Sequence, residues 1–374
     1  MSTYPEVEAP AVDHAPGLER IFATVPEERS GERLQVQGQI PAWLRGTYLL
    51  NGPARFHRGN VQYRHWLDGD GMVCALRFDE EGARLDARFV RATKLVDEEA
   101  AGCALYRAFG TAFPGDRLVR GIALESPMNV SVYPFADTLL ALGEQGLPWE
   151  LDPKTLETRG PYNFNGALNP VSPFAAHCKI DPETGDLFNF GISFSATQPS
   201  LNLYRFTSEG RLVYRKRLPL SEPRSLHDFI LAGRHVAFYL GPYRLDMESL
   251  AQGGNTLLES LRWEPERGSH LLIVRREDGE PVATVPVGDR YVLHGINAFE
   301  DGDPFEDGDH LIVDVLELDR PVYDQYTVPA LFENVAPGRP VRLIVALPTG
   351  TLVSRQEIAY DRAPDFPAID PDRA

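Results

Sequence analysis

The stretch MVCALRFDEEGARLDARFV (residues 72–90) decides the fold class of this chain. Two apolar runs flank the acidic turn DEEG, and its Gly82 can adopt the positive φ that tight turns between antiparallel strands need. The same plan returns in LNLYRFTSEGRLVYRKRLPL (201–220) and in HLLIVRREDGEPVATVPV (270–287), each with its own turn glycine. The chain is therefore predicted to consist largely of repeated β-hairpins.

Further apolar runs extend the hairpin pattern on both sides. We predict additional strands at 131–142, 186–194, 235–240, 310–318 and 341–347. The spacing of the turn glycines fits a structural unit of roughly 60 to 70 residues, and recurrence of one unit favours a propeller over a sandwich or a barrel. The predicted fold class is therefore all-β, with blades that surround a central channel.

Three segments depart from the strand pattern. Residues 95–108 contain good helix formers with Gly102 as an interruption, and residues 246–262 are interrupted by glycines at 253–254. We expect both helices to lie as insertions above the blades. The first 35 residues (1–35) are polar and contain proline, so we expect an N-terminal arm across the surface.

Composition excludes several classes of function. The chain has 374 residues, of which 43% are hydrophobic, and a formal net charge of −17 without a run of Lys or Arg. A nucleic-acid partner is therefore not expected, because such proteins present a basic surface. Three cysteines without a CxxC pair indicate no disulfide framework. The N-terminus lacks the pattern of a signal peptide, and no apolar run reaches about 18 residues, so a cytoplasmic location is expected.

Three histidines share a local context that points to a metal site. His177 in FAAHCKID, His227 in SLHDF and His294 in VLHGINAFE each follow an apolar stretch, which predicts a residue at the inner end of a β-strand. Strands that meet at one axis would bring ligands so distant in sequence together. Neutral imidazole suits Fe, Cu and Zn. Cys178 follows the first histidine and is interpreted as a small buried residue rather than a ligand.

Other polar motifs have simpler interpretations. His65 in HWLDGDGM is expected to be structural, and the DGDG run lacks the ligand spacing of a calcium loop. His235 is expected on a strand surface. The acidic stretch EDGDPFEDGD (300–309) is interpreted as a solvated loop.

Seven collinear motifs give the chain a resemblance to a known family. The motifs are IPAWLRGTYLLNGPARF (40–56), HWLDGDGM (65–72), ALGEQGLPWELDPKTLETRG (141–160), AHCKIDPETGDLFNFG (176–191), LHDF (226–229), LHGINAFE (293–300) and APDFPAID (363–370). In these motifs the chain resembles the carotenoid cleavage oxygenases, which include apocarotenoid oxygenases, stilbene-cleaving dioxygenases and the retinal-pigment-epithelium isomerase.

This resemblance implies a fold, a cofactor and a reaction. The family is a seven-bladed β-propeller with a helical dome, so residues 1–374 are expected to belong to a single domain. Four axial histidines hold one Fe(2+), no organic cofactor is used, and O2 is added across a C=C bond to give two carbonyl products. Matched residue by residue, His177, His227 and His294 fall on the first three iron ligands. Glu144 falls on a carboxylate that orients a ligand histidine.

The chain also departs from the family pattern. The fourth histidine of the family lies beyond the DFP motif, whereas this chain stops at Ala374, so we expect the last blades and that ligand to be missing. Asp365 stands where the family usually has Glu. Because Asp is one methylene shorter, we expect its hydrogen bond to a ligand to be lost or mediated by water. The chain is interpreted as a truncated oxygenase, with a shortened non-catalytic relative or completion by a second polypeptide as alternatives.

The resemblance also limits the substrate. We expect an apolar polyene, of the carotenoid or apocarotenoid class, with possible peripheral membrane contact for its uptake. Stilbene-cleaving members tend to have Lys before the orienting Glu, where this chain has Gly143, which favours a carotenoid over a stilbene. A non-catalytic binder of apolar ligands is the alternative of another class. A hydrolytic zinc enzyme is disfavoured because the HExxH pattern is absent.

Overall fold

The computed structural model of the chain describes residues 18–119, 123–251, 254–302, 309–328, 331, 333, 335–362, 364–367 and 369. The strands are, in chain order, β1 (Arg29–Arg33), β2 (Gly46–Arg55), β3 (His57–Arg58), β4 (Val61–Gln62), β5 (Asp70–Asp79), β6 (Gly82–Phe89), β7 (Ser131–Phe135), β8 (Thr138–Leu142), β9 (Trp149–Leu151), β10 (Thr158–Pro161), β11 (Lys179–Ile180), β12 (Leu187–Ser193), β13 (Ser200–Phe206), β14 (Leu212–Pro219), β15 (Ile230–Leu231), β16 (His235–Leu240), β17 (Tyr243–Leu245), β18 (Leu261–Trp263), β19 (Ser269–Arg275), β20 (Pro281–Gly288), β21 (Tyr291–Asp301), β22 (His310–Leu318), β23 (Arg339–Ala346) and β24 (Thr351–Glu357). The α-helices are α1 (Leu18–Ala23), α2 (Thr93–Ala101) and α3 (Met247–Ala251), and short 3₁₀ turns lie at Trp66–Asp68, Leu258–Ser260, Pro265–Arg267 and Tyr323–Tyr326.

Five four-stranded antiparallel sheets form the body of the described chain. Blade I has the strand order β1-β6-β5-β2, blade II β10-β9-β8-β7, blade III β11-β12-β13-β14, blade IV β15-β16-β19-β20 and blade V β21-β22-β23-β24. Blades II to V are meanders in which successive blade strands pair with one another. This repetition of four-stranded sheets is the plan of a β-propeller.

The predicted hairpins are confirmed by the strand pairing. β5 pairs with β6, β13 with β14, and β19 with β20, each in antiparallel register. The three turn glycines, Gly82, Gly210 and Gly279, have φ values of 122°, 79° and 73°. Residues that carry a side chain rarely adopt such values. Glycine at these positions therefore allows the strand to reverse.

The repeat is less regular than predicted. The first consecutive strands of the five blades, with β1 set aside, begin at Gly46, Ser131, Lys179, Ile230 and Tyr291. The blades therefore do not recur at one fixed length. Two insertions cause the difference. α2 and the loops after it follow blade I, and the β17–β18 ribbon interrupts blade IV.

The hydrophobic core lies between consecutive blades. Four clusters of buried residues combine strands of two neighbouring sheets, as expected when sheets stack face to face. Representative pairs are Val73 and Leu139 between blades I and II, Leu142 and Phe206 between II and III, Phe190 and Phe238 between III and IV, and Leu271 and Val313 between IV and V. Burial of each such side chain contributes about 1.5–3 kcal/mol. The stacking fixes the blades against one another.

Part of the predicted N-terminal arm forms the exposed outer strand of the first blade. β1 pairs with β6 and completes blade I, and Phe22 of α1 is buried against the ring of Phe56, with 5.0 Å between ring centroids. Residues 1–17 of the predicted arm lie outside the described residues. The sequence of β1 does not indicate by itself that this segment pairs with β6 as the edge strand of blade I.

The predicted helices are shorter than expected. α2 ends at Gly102, which has a left-handed φ of 67° and donates its N–H to the carbonyl of Glu99. Gly102 is therefore the C-terminal cap of α2 rather than an interruption. In the second segment, the described residues form α3, one 3₁₀ turn and β18.

Two expectations about the whole chain can be compared with the structure. All three cysteines are free, and Cys178 is buried, as predicted. Within the described residues, none of the helices combines the length and the apolar character that crossing a bilayer requires.

Candidate metal centre

Three successive blades each deliver one histidine to the same point. His177 lies just before β11 of blade III, His227 just before β15 of blade IV, and His294 within β21 of blade V. The prediction of strand-end positions is therefore wrong for the first two, which belong to loops that lead into the blades. Asn189 fixes the first loop, because its Nδ2 donates to the carbonyls of Ala175 and His177 at 2.9 and 3.1 Å.

The three rings face one another through their Nε2 atoms; we call His177, His227 and His294 the histidine centre. Nε2 of His227 lies 2.9 Å from that of His177 and 3.2 Å from that of His294. One ligand atom from each ring lies within 4.8 Å of the others, and two of the residues are buried. Two nitrogens bonded to one metal at right angles, with bonds of about 2.1 Å, would be about 3.0 Å apart.

Two carboxylates determine which nitrogen is protonated in two of the three rings. Nδ1 of His227 donates to Glu144 Oε2 at 3.0 Å, and Nδ1 of His294 donates to Asp365 Oδ1 at 2.7 Å. In the neutral rings, both Nε2 atoms are then acceptors with exposed lone pairs. Two acceptors at 3.2 Å repel each other unless a cation lies between them. The donor set therefore fits a divalent metal with imidazole ligands.

The direct contact of Asp365 corrects the expectation of a lost or water-mediated bond. The segment that contains it approaches the centre closely enough to replace the missing methylene. The neighbouring Phe366 adopts a positive φ of 46°, and its ring packs on His294 with 4.6 Å between centroids. Tyr326 also donates its hydroxyl to Asp365, at 3.4 Å.

The electrostatics of the centre differ between its rings and favour a neutral His177. Burial lowers the pKa of His177 well below its usual value, and the neighbouring His227 lowers it further. Burial would also lower the pKa of His227, but the charge of Glu144 and its hydrogen bond raise that pKa above the usual value. For Asp365, burial opposes ionisation, yet the hydrogen bond from His294 holds its pKa below the usual range.

Two further residues at the centre were missed by the sequence reasoning. Asp228 follows His227 and is buried, and it forms an ion pair of 2.9 Å with Lys179. Burial alone would raise the pKa of Asp228, but Lys179 and His177 lower it to about 2, so this group is an anion. Its position next to a proposed ligand in the LHDF motif is the signal that could have drawn attention to it.

An apolar cavity lies beside two residues that contact the histidine centre, and none of the three histidines is part of its wall. It has a volume of about 570 Å³, which is within the usual range for small-molecule sites. Its wall includes Glu144 and Tyr323, and both of these contact His227, by a hydrogen bond and by an edge-on ring contact. Apolar wall residues include Phe109, Leu124, Val171, Phe174, Phe194 and Leu257. A hydrophobic ligand in this cavity would end beside the centre.

Two other histidines are not part of the centre. His65 is buried, accepts the N–H of Leu67 at Nδ1 and contacts the carbonyl of Tyr323 through Nε2 at 2.8 Å, so its predicted structural role agrees with the structure. His235 is buried, not on the surface as predicted, because Glu300 of the next blade accepts its Nδ1–H at 2.9 Å.

The acidic motifs have structural contacts. Asp68 accepts from Gly110 and Thr111, and Asp70 pairs with Lys94, so neither needs a calcium ion. Of the predicted loop 300–309, residues 303–308 lie outside the described residues, and Glu300 is not solvated as predicted.

Comparisons with known proteins assign the chain to a family. Residues 22–374 match the model of the family described as retinal pigment epithelial membrane protein. The chain belongs to this family. Members similar to it include apocarotenoid-15,15'-oxygenase of Synechocystis sp., 29% identical over 94% of this chain and 72% of the relative. Resveratrol cleavage oxygenase 1 of Aspergillus fumigatus is 32% identical over 76% of this chain and 55% of the relative.

Solved structures of the family give the same fold. A variant of Synechocystis apocarotenoid oxygenase matches with a TM-score of 0.83 at 27% identity, over 95% of this chain and 75% of that one. A cobalt-substituted form matches with a TM-score of 0.79 at 28% identity, over 90% of this chain and 71% of that one. The predicted propeller is therefore confirmed. The chain spans only about half of the length of some curated relatives of the family, such as the resveratrol oxygenase (55%).

Proposed function

We propose that this chain is an Fe(2+)-dependent dioxygenase that cleaves a C=C bond of a carotenoid or apocarotenoid. The observation that supports the proposal most directly is the convergence of three Nε2 atoms beside Glu144, a residue that also lines an apolar cavity. His177, His227 and His294 would hold the ion. Bound Fe(2+) would supply O2 activation, with one oxygen atom passing to each of the two carbonyl products.

The residues of the chain have distinct parts in this proposal. Glu144 and Asp365 hold the Nδ1 protons of two rings, which keeps the Nε2 lone pairs directed at the metal. The apolar cavity wall would bind and align the polyene and exclude water from the reacting bond. The fold would hold the aligned C=C bond close to the histidine centre.

The surroundings of Gly143 support a carotenoid over a 4-hydroxystilbene. A side chain at this position would place its Cβ 1.8 Å from Oγ of Ser126, so a lysine there would require Ser126 to move. The wall also includes the carboxyl groups of Glu125 and Glu144. Burial raises the pKa of Glu125, which suits a neutral ligand better than an anionic one.

The test compares two buried histidines that both have a carboxylate partner. Metal-free chain is loaded with Fe(2+) under anaerobic conditions, mixed with an apocarotenal and O2, and analysed for new aldehydes by chromatography. We expect His227→Ala to abolish bound iron and products, whereas His235→Ala, which removes a histidine outside the centre, retains both. Product formation by His227→Ala would contradict the proposal.

A second substrate separates the alternatives. Cleavage of a 4-hydroxystilbene but not of the apocarotenal would favour the stilbene-cleaving reaction. Binding of the apocarotenal without iron or products would favour a non-catalytic binder. A cytoplasmic location and contact with a lipid surface during substrate uptake remain parts of the proposal.

A further inference from the structure

One buried carboxylate links the three chain segments that present the histidines. Asp228 directly follows the second histidine. Its Oδ2 accepts a hydrogen bond of 3.1 Å from the backbone N–H of Gly295, the residue after the third histidine. Its Oδ1 pairs at 2.9 Å with Nζ of Lys179, which lies two residues after the first histidine. Both oxygens are therefore engaged by different blades.

We propose that Asp228 is a positioning residue that sets the spacing of the three Nε2 atoms. This inference rests on the metal site of the proposed function. The histidines belong to different blades, and the apolar contacts between blades are non-directional, so they do not by themselves set the distance between two nitrogen atoms. The carboxylate of Asp228 contacts the backbone of one neighbouring blade and a side chain of the other. These two contacts restrain the relative positions of all three segments.

The local backbone around Gly295 allows its N–H to reach Asp228. The pairing of β21 with β22 is irregular on both sides of Gly295, which is typical of a β-bulge that turns a backbone group away from its ladder. A Cβ on this residue would lie 2.2 Å from Cγ1 of Ile230, which begins β15. Only glycine allows β21 to approach the segment of Asp228 so closely.

Asp228 acts differently from the two carboxylates that hold the ring protons. Glu144 and Asp365 each accept a hydrogen bond from an imidazole, whereas the contacts of Asp228 are to a backbone N–H and to an ammonium group. Its effect on a metal would pass through the backbone positions of the ligands, in addition to the charge that it places near His177. A carboxylate that only stabilised the fold would change unfolding without changing the ligand geometry.

The test titrates the metal-free full chain with Co²⁺, whose visible absorption reports the geometry of its ligands. Asp228→Ala removes both contacts, Asp228→Asn keeps an acceptor for Gly295, and Lys179→Met removes only the ion pair. We expect Asp228→Ala to weaken Co²⁺ binding by about 10- to 100-fold and to change the spectrum, with smaller losses in the other two variants. Asp186→Asn is the matched control, because Asp186 is also buried and paired, with Arg205, away from the histidines.

The outcomes separate this inference from the proposed function. Wild-type affinity and spectrum in Asp228→Ala would contradict the positioning role and leave the metal site intact. Absence of Co²⁺ binding in the wild-type chain would contradict the proposed function itself. If Asp228→Ala does not fold, as judged by circular dichroism, Asp228→Asn and Lys179→Met decide, and unchanged spectra in both would overturn the inference. An equal loss in Asp186→Asn would also overturn it.

Discussion

Two buried polar clusters of this propeller differ in whether their charges are balanced internally. The first is the histidine centre with its carboxylates. The second, the ionic cluster, combines two cations, two carboxylates and a tyrosine: Arg58, Lys94, Asp70, Glu98 and Tyr63. In the ionic cluster, Lys94 lies 2.8 Å from Asp70 and Tyr63 donates to Glu98 at 2.8 Å, so donors face acceptors.

The histidine centre has the opposite arrangement. Its acceptor nitrogens face one another, and its anions lie on the outer side of the rings. Burial would lower the pKa of Lys94, but Asp70, Tyr63 and Glu98 raise it, so the ionic cluster keeps its own charges. A buried polar cluster with balanced donors and acceptors needs no further partner, whereas converging acceptors favour binding of a cation.

The largest expected effect is the loss of a ligand from the histidine centre. His294→Ala removes one Nε2 atom and the imidazole that donates to Asp365. We expect Co²⁺ and Fe(2+) binding to fall below detection in a titration, with little change in the circular dichroism spectrum. Unchanged metal binding would contradict the difference between the two clusters, because the histidine centre would then resemble the ionic cluster.

The ionic cluster should respond in stability instead. Lys94→Met leaves Asp70 and Glu98 with Arg58 as their remaining cation, and breaking a buried ion pair in this way costs about 3–5 kcal/mol. We expect this loss in the free energy of unfolding from denaturant titration. The Co²⁺ affinity of the folded fraction should stay at the wild-type value, and a parallel loss of metal binding would contradict the separation of the two clusters.

Removal of one outer carboxylate should weaken the centre without destroying it. Glu144→Gln keeps the size of the side chain but removes the charge that faces His227. We expect Co²⁺ affinity to fall by about 10- to 100-fold, as for other groups that orient metal-binding histidines. Glu150→Gln, in the same segment but paired with Arg159, is the control and should bind normally.

The smallest expected effect is a shift in pH dependence. Protons compete with the metal for Nε2 of His227, whose pKa lies above its usual value because of Glu144. Metal affinity should therefore be highest at pH values above this pKa and should fall as the pH decreases through it. Glu144→Gln lowers this pKa, so its affinity curve should shift to lower pH in Co²⁺ titrations at several pH values. A shift to higher pH would have the wrong sign.

The hairpins, the propeller class and the three candidate histidines could be predicted from the amino-acid sequence. These features depend on neighbours in the chain. A turn glycine, an alternating strand and a motif around one histidine are each readable within about ten residues, because local conformation follows from local sterics and patterning. The strands predicted at 235–240 and 310–318 coincide with β16 and β22 for this reason.

The tertiary structure decided how distant segments meet. The direct bond from Asp365 to His294, the burial of His235 against Glu300 and the tie through Asp228 all join residues of separate blades or loops. Their distances depend on blade stacking and loop paths, which no local pattern encodes. The histidines and Glu144 could be named from motifs of the chain, but the distances between their atoms depend on the packing of three blades.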